Sequence, residues 1–367
     1  MRVLLIFSSS DLGGAERSLT RMALATTGEI QFELATLGGY GPWVEWCIEQ
    51  GVAPHVLGVS RRNKRQCFWC ITSLFKLIML VRREKFDAIY VMGLRASVNI
   101  RLVKPFLRGA RIVHGVRWNP ASNSRLDKGF RLVERYLGRL VDLYIANSLA
   151  AKRTMIERMS IPKEKIRVIY NGLHGIQKEV KPIIERPLQV VTVANISPRK
   201  GYLQYVENVV APLCRDIPGA NFVIVGRDDM AGAVQRKAQM LGLEKCVRFE
   251  GFQSDVSGFL RHSRVFVLPS LWDEGCPTSI LEAMAYGMPI VAFSLDGIPE
   301  LVKHEVDGIL VTLNDYSSMK ESIERLLLNP EEVERMGRAG YKKVSADFAI
   351  EKTVKEHVSA FKMMSGD

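Results

Sequence analysis

A chain of 367 residues, 47% hydrophobic and 25% charged, is longer than a single hydrophobic core usually supports and too apolar for extensive disorder, so two globular domains are expected. The net charge of +12 comes from the amino-terminal half: residues 1–180 hold 29 Lys and Arg against 14 Asp and Glu, whereas 181–367 hold 22 against 25. The basic half suits an anionic membrane or a phosphorylated substrate; it carries no nucleic-acid motif and no aromatic-interleaved basic segment, so no nucleic-acid partner is expected.

In chain order, "RVLLIF" (2–7) reads as a β-strand that ends in the glycine loop "SSSDLGGAE", after which Leu19, Met22 and Ala23 recur at helical spacing. Further strands are predicted at 32–37, 86–93, 110–116, 142–148 and 166–172, with helical or polar stretches between them. The apolar run 67–81 is too short to span a bilayer and is interrupted by Lys76. It follows the basic "RRNKR". Residues 61–70 are expected to touch an anionic membrane surface, and 71–81 to pack on the sheet. At 175–187 the pattern lapses around two prolines, marking a linker. A second series then gives strands at 188–195, 221–226, 247–251, 265–270, 289–294 and 308–312. Strands alternating with helices imply parallel sheets covered on both faces, hence two doubly wound Rossmann-like α/β domains with a cleft between them, 1–180 and 181–348. The last helix, about 349–367, is expected to cross back onto the first domain.

Six scattered cysteines do not make a disulfide scaffold, and the start "MRVLLIFSSSDLGG" lacks the regions of a secretion signal. The expectation is a reduced, cytoplasmic protein, peripheral to the membrane at most, with Cys67 and Cys70 of "CFWC" as packed thiols.

In such sheets ligands bind beyond the carboxyl ends of the strands, which directs attention to the loops there. Glu274 lies in the loop after the strand "VFVLPS"; Glu282 lies in the early turns of a helix running from Ser279 to a stop at Gly287. Free N–H groups at that helix start, with Thr278 and Ser279 as donors, favour a phosphate, which leaves the two carboxylates for sugar hydroxyls. Lys200, in "NISPRKGY" after another strand, is a cation at the same carboxyl edge of the sheet. His114 follows the same logic in the first domain as a residue ending a strand. Cys276 has no neighbouring base and is not read as a nucleophile. No D-x-D occurs, so neither metal nor cofactor is expected.

The segment 274–302, "EGCPTSILEAMAYGMPIVAFSLDGIPELV", resembles the E-x7-E signature of retaining glycosyltransferases of family 4, which have the GT-B fold. "DLGGAER", "IANS", "VIYNG", "SPRKG", "VIVG" and "FEG" stand in that family's order along nearly the whole chain. The resemblance implies a carboxyl-terminal domain that binds a nucleotide sugar, a UDP-sugar being favoured, and an amino-terminal domain that binds a saccharide acceptor. The basic half points to an acceptor linked to lipid, as in cell-surface polysaccharide or lipopolysaccharide synthesis. The resemblance further implies that Glu282 holds the ribose and Glu274 the transferred sugar, with Lys200, which would neutralise the departing diphosphate, and His114 also catalytic. Arg199, Asn195, Gly226, Thr278 and Ser279 would complete the donor site. Gly13 and Gly14 would close over the donor phosphate, and Arg117, Trp118 and Asp11 would line the acceptor side. The family usually has Arg where this chain has Asn195, so one expected cation is missing, and whether Arg199 replaces it is left open by the sequence. A sugar-nucleotide epimerase and a noncatalytic nucleotide-sugar-binding protein are the alternatives.

Overall fold

A computed structural model describes residues 1–58, 66–120, 125–176 and 182–365, with the backbone course alone at 66–70, 125–127, 184 and 365. The chain forms two compact units: Met1–Gly172 with Ile350–Asp367, and Leu173–Ala349. The chain thus changes unit at Gly172 and Leu173, ahead of the expected boundary at 180.

Unit 1 contains strands β1 (Arg2–Phe7), β2 (Gln31–Thr36), β3 (His55–Val56), β4 (Ala88–Met92), β5 (Arg111–Val116), β6 (Leu143–Ala146) and β7 (Ile166–Val168). They pair in parallel in the order β3-β2-β1-β4-β5-β6-β7. Successive side chains of a strand point to opposite faces, and both faces here are dry. Leu4, Ile6, Ile89 and Val91 pack on one side with Leu77, Ile100 and Phe130; Val3, Leu5, Phe7 and Tyr90 pack on the other with Met22 and Trp43. That two-sided burial explains why the strands read as unbroken apolar runs. The final helix, Ile350–Ser365, supplies Ile350, Ala360 and Phe361 to the second of these layers.

Unit 2 contains β8 (Gln189–Val193), β9 (Asn221–Val225), β10 (Val247–Gly251), β11 (Val265–Leu268), β12 (Ile290–Phe293) and β13 (Gly308–Val311), again all parallel, in the order β10-β9-β8-β11-β12-β13. The order runs outward from β8 in one direction and then from β11 in the other. The topological switch point therefore lies between β8 and β11, and in unit 1 it lies between β1 and β4.

Three expectations change. The stretch from 182 onward is not a free linker: Ile183 is buried against the helix Pro330–Asp347 and its N–H donates to Glu334 at 3.0 Å. Arg186, also buried, donates to the carbonyls of Ser263 (3.0 Å) and Tyr286 (2.7 Å), and burial pulls its pKa down to about 10. The thiols are not all reduced, because Cys214 and Cys246 form a disulfide with a Cα separation of 6.2 Å. The β9 crossover brings together two residues that lie 32 positions apart. Finally, the helix Gln66–Glu84 packs on the sheet through Ser73, Leu77, Leu80 and Val81 but leaves Ile71, Phe75 and Met79 exposed. Residues 61–65 lie outside the described residues, as do the side chains of Cys67 and Cys70.

Candidate functional site

The loops that follow β8, β11 and β12 meet in unit 2 around one carboxylate. After β8 the chain makes a single 3-10 turn, Pro198–Lys200, and leaves it through Gly201, whose φ of 66° is left-handed. A Cβ at Gly201 would run into the Pro269 carbonyl and the Leu271 side chain. Glycine thus lets the β8 and β11 loops touch, and the Leu271 N–H donates across to the Arg199 carbonyl at 2.8 Å. This contact brings Lys200 to Glu274: its ammonium donates to Glu274 Oε1 in an ion pair whose partners are only 6% and 4% exposed. Arg199 reaches the same oxygen at 3.6 Å with a side chain 43% exposed, and donates to the Asp273 carbonyl at 3.4 Å. The β12 loop grips the Glu274 backbone from the other side. Its N–H donates to Asp296 Oδ2 at 3.0 Å, and its carbonyl accepts from the Gly297 N–H at 3.2 Å.

Burial is the largest influence on both partners of this pair. By itself it would raise the Glu274 carboxyl, but Lys200 and then Arg199 override it and hold Glu274 below the usual carboxylate range. For Lys200 burial prevails over the attraction of Glu274, and its pKa is drawn down.

Glu274 is followed by the helix Thr278–Ala285, whose N-cap is Pro277 and whose first turn has no side-chain cap. Thr278 and Ser279 stand in that turn, partly exposed, and Glu282, half-buried, stands one turn on. A helix start without a side-chain cap leaves backbone N–H groups and the positive end of the helix dipole available to an anion. Cys276 is buried in the same loop and stands outside the disulfide.

Asn195 and Gly226 stand on the neighbouring loops after β8 and β9. Gly226 passes so close to Ala194 and Asn195 that a Cβ would lie 2.9 Å from the Asn195 nitrogen, and Asn195 Oδ1 accepts from the Arg227 N–H at 3.3 Å. Asn195 thus ties two loops together, and Arg199 is the second cation to reach Glu274. Arg227 pairs with Asp229 (2.7 Å), while Asp228 turns inward to accept from the N–H groups of Met230 and Gly232.

The residues expected in unit 1 are placed differently. His114 does not end a strand: it is in the middle of β5 and fully buried. Its Nδ1 lies 2.8 Å from Arg101, which also pairs with Glu134 at 2.7 Å; the Tyr144 hydroxyl donates to the same glutamate. Since arginine can only donate, Nδ1 must accept, so the ring is neutral with its proton on Nε2. Burial, then Arg101, holds its pKa well below the usual histidine value. Phe130 packs edge-on at 5.5 Å. His114 is thus a member of an interior polar network, and the expectation that it ends a strand is corrected accordingly.

Arg117 follows β5 and donates to Asn171 Oδ1 (2.9 Å) and the Tyr90 hydroxyl (3.2 Å). Ser18 donates to the same Asn171 oxygen, and Tyr90 approaches His357 of the final helix at 3.5 Å. Trp118 packs against Phe130 at 5.5 Å. Gly13 caps the helix Gly14–Ala25, and the Glu16 carboxylate folds back over it, where a Cβ would come within 2.8 Å of Oε2. Asp11 is exposed in the same loop.

Arg101, Glu134, Tyr90 and His357 escaped the sequence reading because each lies inside a helix or strand with no turn or motif beside it. Asp296 had a signal, the Asp-Gly turn "LDGIPE", although only the tertiary fold connects it to Glu274.

Residues 12–174 match the family profile described as Glycosyltransferase Family 4, and residues 175–343 the one described as Glycosyl transferases group 1. An uncharacterized glycosyltransferase of Haemophilus influenzae is 33% identical over 96% of this chain and 97% of its own. The UDP-Gal:alpha-D-GlcNAc-diphosphoundecaprenol alpha-1,3-galactosyltransferase of Escherichia coli is 29% identical over 69% of this chain and 70% of its own. Among solved structures, Anabaena HepE in complex with UDP-glucose superposes with a TM-score of 0.86 at 21% identity, covering 99% of this chain and 100% of that one.

Proposed function

The chain belongs to the group 1, family 4 glycosyltransferases and has the GT-B fold, and from that premise we propose that unit 2 binds a UDP-sugar and that the protein transfers its hexose, with retention of anomeric configuration, to a lipid-linked saccharide. The product would enter cell-surface polysaccharide or lipopolysaccharide. What carries the reading is the buried pair Lys200–Glu274, set beside the switch point and at the mouth of an uncapped helix. No other described part of unit 2 joins buried opposite charges to free helix N–H groups in this way.

In this proposal the ion pair holds the site's charge in balance until the donor arrives. Lys200 then turns to the diphosphate with Arg199, and Glu274 is released to the hydroxyls of the transferred sugar. Thr278 and Ser279 donate N–H groups to phosphate oxygens, and Glu282 takes the ribose hydroxyls. Gly226 and Asn195 shape the floor where the nucleotide approaches. In the low dielectric of a buried site, a fixed cation at the leaving oxygens stabilises charge as it develops. Cationic side chains and the helix start take the role that a metal plays elsewhere. In unit 1, Gly13 and Gly14 form the loop on the donor phosphate, and Asp11, Arg117 and Trp118 belong to the acceptor side. The support for the donor class and the lipid-linked acceptor is what the relatives are named for: UDP-galactose with a diphosphoundecaprenol-linked sugar in one, UDP-glucose in the other.

Thermal unfolding with UDP-, GDP- and ADP-sugars, on the wild type and Glu282→Ala, tests the reading. A donor at ~100 times its dissociation constant stabilises by about 2.7 kcal/mol through mass action. UDP-sugars are expected to raise the melting temperature of the wild type and not of the variant, and the product's anomeric configuration, read by NMR, is expected to match the donor's. Equal shifts in both proteins would remove Glu282 from the ribose, and an inverted product would remove the retaining mechanism.

A further inference from the structure

The helix Gln66–Glu84 is half used by the fold. Ser73, Leu77, Leu80 and Val81 face the sheet, whereas Ile71, Phe75 and Met79 are 67%, 64% and 52% exposed. These three recur every four residues, so they form one stripe along the outer face. The 3-10 turn Lys104–Phe106 meets the end of that helix. The guanidinium of Arg82 donates to the Phe106 carbonyl at 3.3 Å and that of Arg108 to the Arg82 carbonyl at 3.1 Å. Exposed Phe106 therefore adjoins the end of the same helix, and exposed Leu102 closes the helix Leu94–Leu102 just before that turn.

The charges around this stripe have one sign. Lys76, Arg82, Arg83, Lys85 and Arg108 are exposed, and the sequence holds no Asp or Glu between Glu49 and Glu84, nor between Asp87 and Asp127. The carboxylate of Glu84 is engaged by Arg83 at 2.9 Å and Arg2 at 3.2 Å. A contiguous apolar stripe on a folded surface marks an interaction site, and its cationic frame selects the occupant. A second copy of the chain would bring the same positive charge against it, whereas an anionic bilayer offers hydrocarbon to the stripe and phosphate to the cations.

We propose that the face built by Ile71, Phe75, Met79, Leu102 and Phe106 docks the protein on an anionic lipid surface, lying in the interface because its opposite face is occupied by the sheet. This extends the membrane contact expected for 61–70 along the outer face of residues 71–79, and it stands independently of the donor assigned to unit 2.

The test is co-sedimentation of the full chain with vesicles of phosphatidylcholine alone, or of phosphatidylcholine and phosphatidylglycerol in equal parts, both free of any saccharide lipid. Binding is expected only to the anionic vesicles and is expected to weaken as salt rises. Phe75→Asp or Ile71→Asp should lower the partition coefficient at least tenfold. Lys76→Glu should lower it about fivefold or more, from ~1 kcal/mol per interfacial cation, while Met240→Asp, an exposed site in unit 2, should leave it unchanged. The melting temperature and the donor-induced shift of each variant should match the wild type, which separates loss of docking from misfolding and from failure of the donor site. Equal pelleting with neutral vesicles, indifference to Phe75→Asp and Ile71→Asp, or a wild-type dimer that Phe75→Asp dissociates, would each overturn the proposal.

Discussion

Replacing Lys200 by methionine removes the cation from a pair whose partners are both inside the protein, and leaves the Glu274 carboxylate buried without its nearest counter-charge. Breaking a buried pair from one side costs about 3–5 kcal/mol. Arg199, 3.6 Å away and half in solvent, returns at most ~1 kcal/mol because its field is screened, so a net loss of about 3 kcal/mol is expected. For a unit of this size each kcal/mol lowers the melting temperature by about 2–4 °C, giving a drop of ~6–12 °C. Exchanging both partners, Lys200→Met with Glu274→Leu, should recover most of that loss, since an apolar pair of similar volume replaces buried charge at little cost. The assay is unfolding of the wild type, the two single variants and the double variant without donor, read as a double-mutant cycle.

The pH dependence supplies a second reading of the same variant. In the wild type the Glu274 pKa is depressed, so its contribution is present above the unfolded value of about 4.3 and is lost as pH falls through the folded value. In Lys200→Met burial is no longer outweighed by the cations and raises that pKa. The sign inverts, and the variant should lose stability relative to the wild type as pH rises above about 4.3. A loss under ~1 kcal/mol in the single variant, or no recovery in the double, would refute a buried and coupled pair.

Two further outcomes are expected. Gly201→Ala places a Cβ against the Pro269 carbonyl at a left-handed φ, so it should separate the β8 and β11 loops and reduce transferase activity about a hundredfold, measured with a UDP-sugar; wild-type activity would show that Lys200 does not depend on this contact. His357 is buried neutral with a pKa near 3, lowered first by burial and then by Arg117. Its stabilisation is complete above about pH 6.5 and declines toward pH 3 with a slope of up to ~1.4 kcal/mol per pH unit. Urea unfolding between pH 4 and pH 7 should therefore be less steep in His357→Gln by about one proton, and identical slopes would remove His357 from the acid sensitivity of unit 1.

The strands of both units could be read from the chain because a parallel sheet buried on both faces demands unbroken apolar runs, and turn residues bound them at each end. Only β3 was missed, since two residues, His55 and Val56, are too short to make a pattern. The positions of Lys200 and Glu274 after strands followed from the same reading. Their meeting did not: the residues lie 74 positions apart, and nothing local records that β8 pairs with β11 or that Gly201 lets their loops touch. His114 shows the converse, for the strand was legible while the buried Arg101 and Glu134 on two helices, which fix its charge and tautomer, were not. Residues 71–81 were read as a sheet-packed helix because an apolar run looks the same whether its outer side is covered or bare. Local patterning by itself determined which segments are strands and helices and at which ends the polar residues lie, because backbone periodicity is a property of neighbouring residues. Sheet order and the packing of distant loops decided which of those residues share a site, which are sealed inside, and which apolar side chains remain in contact with solvent.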